Sequence, residues 1–110
     1  MADKRFLYIL KEQDTDYYRI GITHSINYRI GVLRGGNHRK LQLIYSIEFI
    51  TAEHALNAEN QLHSLLKEFT TDPKKRSWYE LTGNRFDMTK KIIDMVIVEG
   101  IKEKKEIILE

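Results

Sequence analysis

Two aromatic and β-branched runs, residues 5–11 (RFLYILK) and 17–23 (YYRIGIT), are joined by the polar, turn-prone Gln13-Asp14-Thr15-Asp16. Such residues at strand length favour the pleated conformation. A connection this short lets the second strand return only antiparallel, beside the first. The chain is committed to a hairpin before any helix begins, and the rest of its 110 residues must pack around that hairpin. Alternation places Tyr8 on one face and sends Tyr17 and Tyr18 to opposite faces. Core packing accounts for one or two of these tyrosines.

Ser25 is a suitable N-cap for a helix carrying Ile26, Ile30 and Leu33 on one side. Gly35-Gly36 ends that helix, because glycine tolerates the left-handed conformation. Residues 41–50 (LQLIYSIEFI) alternate and are apolar enough for a central third strand. Thr51 caps a long helix reaching about residue 69, free of glycine and proline, and Asp72-Pro73 marks its exit. Residues 77–81 (SWYEL) form a short strand or extended segment. Asp87 caps a last helix from residue 88 to about residue 99, with Gly100 as its break. The tail 101–110 has no assigned state. The apolar segment Ile92, Ile93, Met95, Val96, Ile97, Val98 either completes the core or makes a homodimer contact. The expected fold is α+β: a small antiparallel, mainly three-stranded sheet flanked by helices. It forms one domain over residues 1–110, with a core over about 5–82 and a C-terminal helix and tail over 83–110.

The absence of cysteine excludes disulfide frameworks, thiolate zinc sites and cysteine nucleophiles. No signal-peptide core precedes the first strand, and no apolar run approaches the ~18 residues of a membrane span. A reducing, cytoplasmic location is expected. The net charge of +2 says little by itself, but its distribution is uneven. Residues 17–47 contain no Asp or Glu, yet hold Arg19, Arg29, Arg34, Arg39 and Lys40. Such a segment suits either a phosphate-binding face or a solvated surface.

Glu59 is the most informative position. The apolar stripe of the long helix runs through Ala55, Ala58, Leu62, Leu65, Leu66 and Phe69, and Glu59 falls inside it. A carboxylate there must be paired, metal-bound or turned to water. His63 follows one turn later on the same side, and partial burial with a hydrogen bond suits it better than a metal site. Arg29 borders the apolar face of the first helix, where a guanidinium can meet an anion bidentately or remain a surface charge. No GxSxG, P-loop, GxGxxG or HExxH sequence is present.

Phe6-Leu7-Tyr8 followed by Arg19-Ile20-Gly21 resembles the paired strand motif of the GIY-YIG nuclease superfamily. The segments YYRIGIT, INYRIGVLRGGNHRKLQL, AENQLHSLLKEF and SWYEL are similar to blocks of its bacteriophage-type DNA-binding branch, related to the meiotically up-regulated branch. They span about residues 5–82 in that branch's order. The resemblance implies a β-β-α-β-α order and a catalytic set of Tyr8, Arg19, Arg29 and Glu59. Glu59 would hold one Mg²⁺ or Mn²⁺ ion. DNA is the implied partner, without any membrane, through backbone contacts from Tyr18, Arg34, His38, Arg39, Lys40, Lys74, Lys75 and Arg76. Three departures stand out. Phe6 and Leu7 replace the first motif's glycine and isoleucine, Arg19 replaces the second motif's tyrosine, and Ser77 stands where a glutamate is frequent. A guanidinium stays protonated and cannot act as a base, though it can hold a phosphate oxygen.

The implied activity is divalent-metal-dependent endonucleolytic hydrolysis, with Tyr8 orienting or deprotonating water and Arg29 neutralising the phosphoryl oxygens. The alternative is a DNA-binding module without cleavage on the same fold. A third reading is a protein-interaction domain using the apolar C-terminal helix.

Overall fold

The structure, a computed structural model, describes residues 3–35, 40–70 and 78–106. The hairpin forms as the sequence requires: β1 (Phe6–Glu12) pairs with β2 (Tyr17–Thr23) from Phe6↔Thr23 to Lys11↔Tyr18. Asp14 takes the left-handed conformation (φ 63°) that closes the turn. There follow α1 (Ile26–Gly35), β3 (Leu41–Phe49), α2 (Ala52–Leu65), a single 3₁₀ turn (Lys67–Phe69), β4 (Trp78–Glu80), α3 (Arg85–Val96) and β5 (Ile101–Glu106).

The sheet is wider than the three strands expected. It has five antiparallel strands in the order β4-β2-β1-β3-β5, so β1, not β3, takes the centre. A central strand is covered on both faces, and β1 reads accordingly: Leu7, Tyr8, Ile9 and Leu10 are all buried. Leu7 and Ile9 enter the larger core with Ile20, Ile47, Phe49, Ala55, Ala58, Leu62, Leu66, Tyr79 and Ile93, under α2 and α3. Tyr8 and Leu10 point the other way, to Leu41 beneath Ile26, Ile30 and Leu33 of α1. Each fully buried aliphatic contributes about 1.5–3 kcal/mol through removal of its surface from water. Helix α1 has no buried residue of its own, and Tyr28 and Val32 stand in solvent; it lies on the sheet as a surface helix.

Two boundaries differ from expectation, and the unassigned tail takes a definite form. Helix α2 gives way to the 3₁₀ turn after Leu65, and Leu65 itself is exposed at the stripe's edge. Helix α3 starts at Arg85 behind Asn84, placing Asp87 in its first turn, where a carboxylate favours the helix dipole, instead of at its cap. The tail becomes β5, whose Lys102, Lys104 and Glu106 reach Glu48, Asp94 and Lys90 at 3.4, 3.1 and 2.8 Å. Asp72-Pro73 lies outside the described residues. The apolar C-terminal segment completes the core in part: Ile93 and Ile97 are buried, with Ile92 and Val96 packed against them, while Met95 and Val98 are exposed. Among the described residues no helix is long and apolar enough to cross a membrane.

Burial raises the Tyr79 phenol above its ordinary value of 10.0, reinforced by the Glu59 charge. Burial likewise raises Tyr18, near Asp16 and Asp87, and Tyr45, near Asp94 and Glu106. Below about pH 10 these phenols are neutral in both folded and unfolded chains, so their contribution is complete. As pH rises further, the unfolded chain ionises first and stability is lost. Urea-unfolding free energy is therefore expected to fall above about pH 10, by up to ~1.4 kcal/mol per pH unit for each phenol. Lys90, held protonated chiefly by its hydrogen bond to Glu106, adds loss in the same direction. A profile flat to about pH 11 would contradict the burial of these groups.

Candidate functional site

Strand β4 is short: on β2 it pairs with Tyr17, Tyr18 and Arg19, and its other side holds, among the described residues, a single bridge from Tyr79 to Thr70. The stretch from Ile20 to Thr23 therefore has no strand beyond it among the described residues. At this open edge Arg29 of α1 approaches from one side, and Ala52, Leu56 and Glu59 of α2 from the other. Between them lies a cleft of about 600 Å³, into which Tyr8, Arg19 and Gly21 also face. The four side chains expected to act together, Tyr8, Arg19, Arg29 and Glu59, thus line one cavity.

Each is positioned by local structure. Tyr8 sits opposite Gly21 in the hairpin register. Its ring crosses that glycine so closely that a Cβ there would lie 2.6 Å from the hydroxyl and 2.9 Å from Cζ. Arg19 is paired with Leu10 two residues from Gly21 and so shares Tyr8's face. Its Nε donates to the Tyr8 hydroxyl at 3.4 Å, and its guanidinium lies 5.7 Å from the centre of the Trp78 ring. Arg29 falls in the first turn of α1, where the Ser25 hydroxyl accepts from the Tyr28 N–H at 3.3 Å and the Ser25 carbonyl from the Arg29 N–H at 3.1 Å. Glu59 follows two turns after the Thr51 cap, whose hydroxyl accepts from the His54 N–H at 3.1 Å. Its side chain is 20% exposed, and its Oε2 lies 3.7 Å from His63 Nε2. The His63 Nδ1 is hydrogen-bonded to the buried Tyr79 hydroxyl.

The other expected contacts divide differently. Tyr18 does not face the cleft. It is 6% exposed, belongs to the larger core and stacks on Phe86 at 5.0 Å, so a nucleic acid cannot reach its ring. Arg34 is exposed but donates to the Leu41 carbonyl at 2.9 Å, tying α1 to β3. Lys40 is exposed. His38, Arg39, Lys74, Lys75, Arg76 and Ser77 lie outside the described residues. Sequence reasoning missed Asp3 and Lys4, which line the same cleft, and the steric part of Gly21. The hairpin register carries the signal for Gly21, because it sets that position directly opposite Tyr8.

The cleft holds more positive than negative groups: Lys4, Arg19 and Arg29 against Glu59 and Asp3, the last engaged by Arg5 at 3.0 Å. Among the described residues no cluster of three or more His, Asp or Glu gathers as a metal centre. A single carboxylate, 20% exposed beside an open cleft, is the kind of donor Mg²⁺ accepts, since that ion keeps several waters and takes few protein ligands. Glu59 is a hard oxygen donor of that kind. The arrangement can hold a phosphodiester between guanidinium groups, beside a phenol and a carboxylate.

A family model described as the T5orf172 domain matches residues 5–97, from β1 through the end of α3. No curated protein and no solved structure matches the chain. The match corrects the family expected from the short motifs: the model that fits is the T5orf172 domain, not a GIY-YIG nuclease. Phe6, Leu7 and Arg19, which break the paired strand motif, sit inside the matched stretch. Since the model covers most of its length, the chain belongs to the T5orf172 domain family.

Proposed function

We propose that the protein binds DNA through its phosphate backbone and hydrolyses phosphodiester bonds in the cleft at the open edge of β2. The observation that carries this reading is the convergence of Tyr8, Arg19, Arg29 and Glu59, from four separate elements, on one cavity. Membership of a domain family of DNA-binding type supports the choice of ligand. Arg29 and Arg19 are the groups to seat the phosphate, and Arg29 offsets the charge that grows on its oxygens during attack. Tyr8 presents its hydroxyl to the attacking water and orients it, or takes its proton. Glu59 would hold a divalent cation, which when bound polarises the phosphate and stabilises the leaving oxygen.

A second reading, binding without cleavage, is favoured by one contact. Arg19 donates to the Tyr8 oxygen, occupying a lone pair that a base would use. Nicking of supercoiled plasmid with and without Mg²⁺ or Mn²⁺ separates the two. Metal-dependent nicking supports hydrolysis, and its absence from a protein that binds DNA leaves the binding module. Binding itself is expected to be strongly salt-dependent. Three cleft cations on phosphates release counterions enough to weaken affinity at least about fortyfold between ~50 and ~200 mM salt. Affinity indifferent to salt would remove DNA as the ligand.

A further inference from the structure

Behind Glu59, and outside the cleft-lining set, a histidine and a buried tyrosine form a line leading away from the carboxylate. His63 lies one turn after Glu59 on α2, its side chain 21% exposed. Tyr79 comes from β4, is fully buried, and makes its side-chain hydrogen bond, among the described residues, to His63 Nδ1. The two rings lie 5.6 Å apart at 18° between planes, so the imidazole is held against the phenol. A phenol in this surrounding keeps its proton, since burial and the Glu59 charge both raise it. Among the described residues His63 Nδ1 is the side-chain partner of that hydroxyl, and a buried O–H is satisfied there when it donates. In the tautomer with Nδ1 accepting, the ring hydrogen sits on Nε2, the atom 3.7 Å from Glu59 Oε2.

We propose that His63 is a positioning residue for Glu59: the Tyr79 hydroxyl fixes its tautomer, and the Nε2–H steers Oε2 so that the other carboxylate oxygen is presented to a divalent cation in the cleft. This rests on the reading of Glu59 as the cation's ligand. The logic is that of metal ligands oriented by partners which do not touch the metal, whose loss costs about 10–100-fold in affinity or activity. The pair also accounts for how a carboxylate sits inside an apolar stripe: a fixed N–H dipole faces it on the helix side, and the cleft lies on the other.

The test joins Mn²⁺ titration of the DNA-free protein, followed by calorimetry, with the Mg²⁺ dependence of plasmid nicking. His63→Leu is expected to weaken Mn²⁺ binding, and to raise the Mg²⁺ needed for half-maximal nicking, by about 10–100-fold. Nicking recovers at saturating metal. His63→Gln, whose amide N–H can replace Nε2–H, is expected to restore both to within about threefold. Tyr79→Phe shifts both in the direction of His63→Leu, by less. Nitrogen-15 spectra of the wild-type side chain read the tautomer without any metal, and should show the proton on Nε2. An Nδ1–H tautomer, or a folded His63→Leu protein with unchanged metal dependence, overturns the proposal. So does a loss that glutamine fails to restore. If the wild-type protein takes up no Mn²⁺, the reading of Glu59 fails and this inference fails with it. Mn²⁺ uptake that is indifferent to His63 removes the inference alone.

Discussion

Replacing Glu59 with alanine is expected to abolish metal-dependent nicking while leaving DNA affinity unchanged or slightly higher. A bound cation contributes several kcal/mol of charge stabilisation during phosphoryl chemistry, so the rate should fall on the order of a thousandfold. Affinity behaves oppositely because Glu59 is a negative charge in a cleft with Lys4, Arg19 and Arg29, and removing it lessens repulsion of phosphate. The fold should survive. Glu59 is partly exposed and 3.7 Å from its histidine partner, and pairs of this kind are worth about 0–1 kcal/mol. Glu59→Gln keeps the shape and loses the charge, so it should match alanine in rate and wild type in thermal unfolding. Nicking by Glu59→Ala at the wild-type rate would end the assignment of Glu59. Concurrent loss of DNA binding would instead mean a structural part for this residue.

The second large effect is expected at a residue with no functional group. Gly21→Ala should slow nicking about a hundredfold and destabilise the fold by about 1–3 kcal/mol. The added methyl would sit 2.6 Å from the Tyr8 hydroxyl and 2.9 Å from Cζ, well inside van der Waals contact. The Tyr8 ring cannot simply turn aside, because it is 2% exposed and packed with Leu10 and Leu41. The phenol must shift, and a misplacement of about 1 Å can cost that hundredfold. Gly31→Ala is the matched control. That glycine lies on α1 with open space around it, and alanine there should stabilise by about 0.5–1 kcal/mol. In a Tyr8→Phe background Gly21→Ala should cause no further loss of nicking, since no hydroxyl is left to misplace, while part of the destabilisation remains because Cζ is still there. A Gly21→Ala protein nicking like wild type would remove Tyr8 from the chemistry.

Much of this arrangement was legible in the sequence, for identifiable reasons. The hairpin follows from two strand-length runs and a short polar link, and Glu59 announces itself by interrupting an apolar stripe. Tyr18 was misread because alternation tells which tyrosines face apart, not which face meets the helices; the packing of Phe86 decides that. Strand β5 was invisible because IKEKKE has no alternation and no apolar residue beyond Ile101. It is a strand through its pairing with β3, a partner more than 50 residues away (101 − 49). The family was misassigned for a related reason. Three-residue motifs sample a few positions, whereas the matched model spans residues 5–97 and takes in the departures together.

The two borders of the sheet differ in kind. One is β5, bristling with lysine and glutamate at nearly every position, which is how natural sheets discourage a neighbouring molecule from adding its own strand. At the other, the short β4 stops, and among the described residues nothing pairs with the last residues of β2 beside the cleft. Strand-to-strand self-association, the usual hazard of a small open sheet, is therefore opposed where the sheet is long and regular. The unpaired stretch, Ile20 to Thr23, is short and lies between α1 and α2, so it offers an incoming strand few backbone groups to pair with.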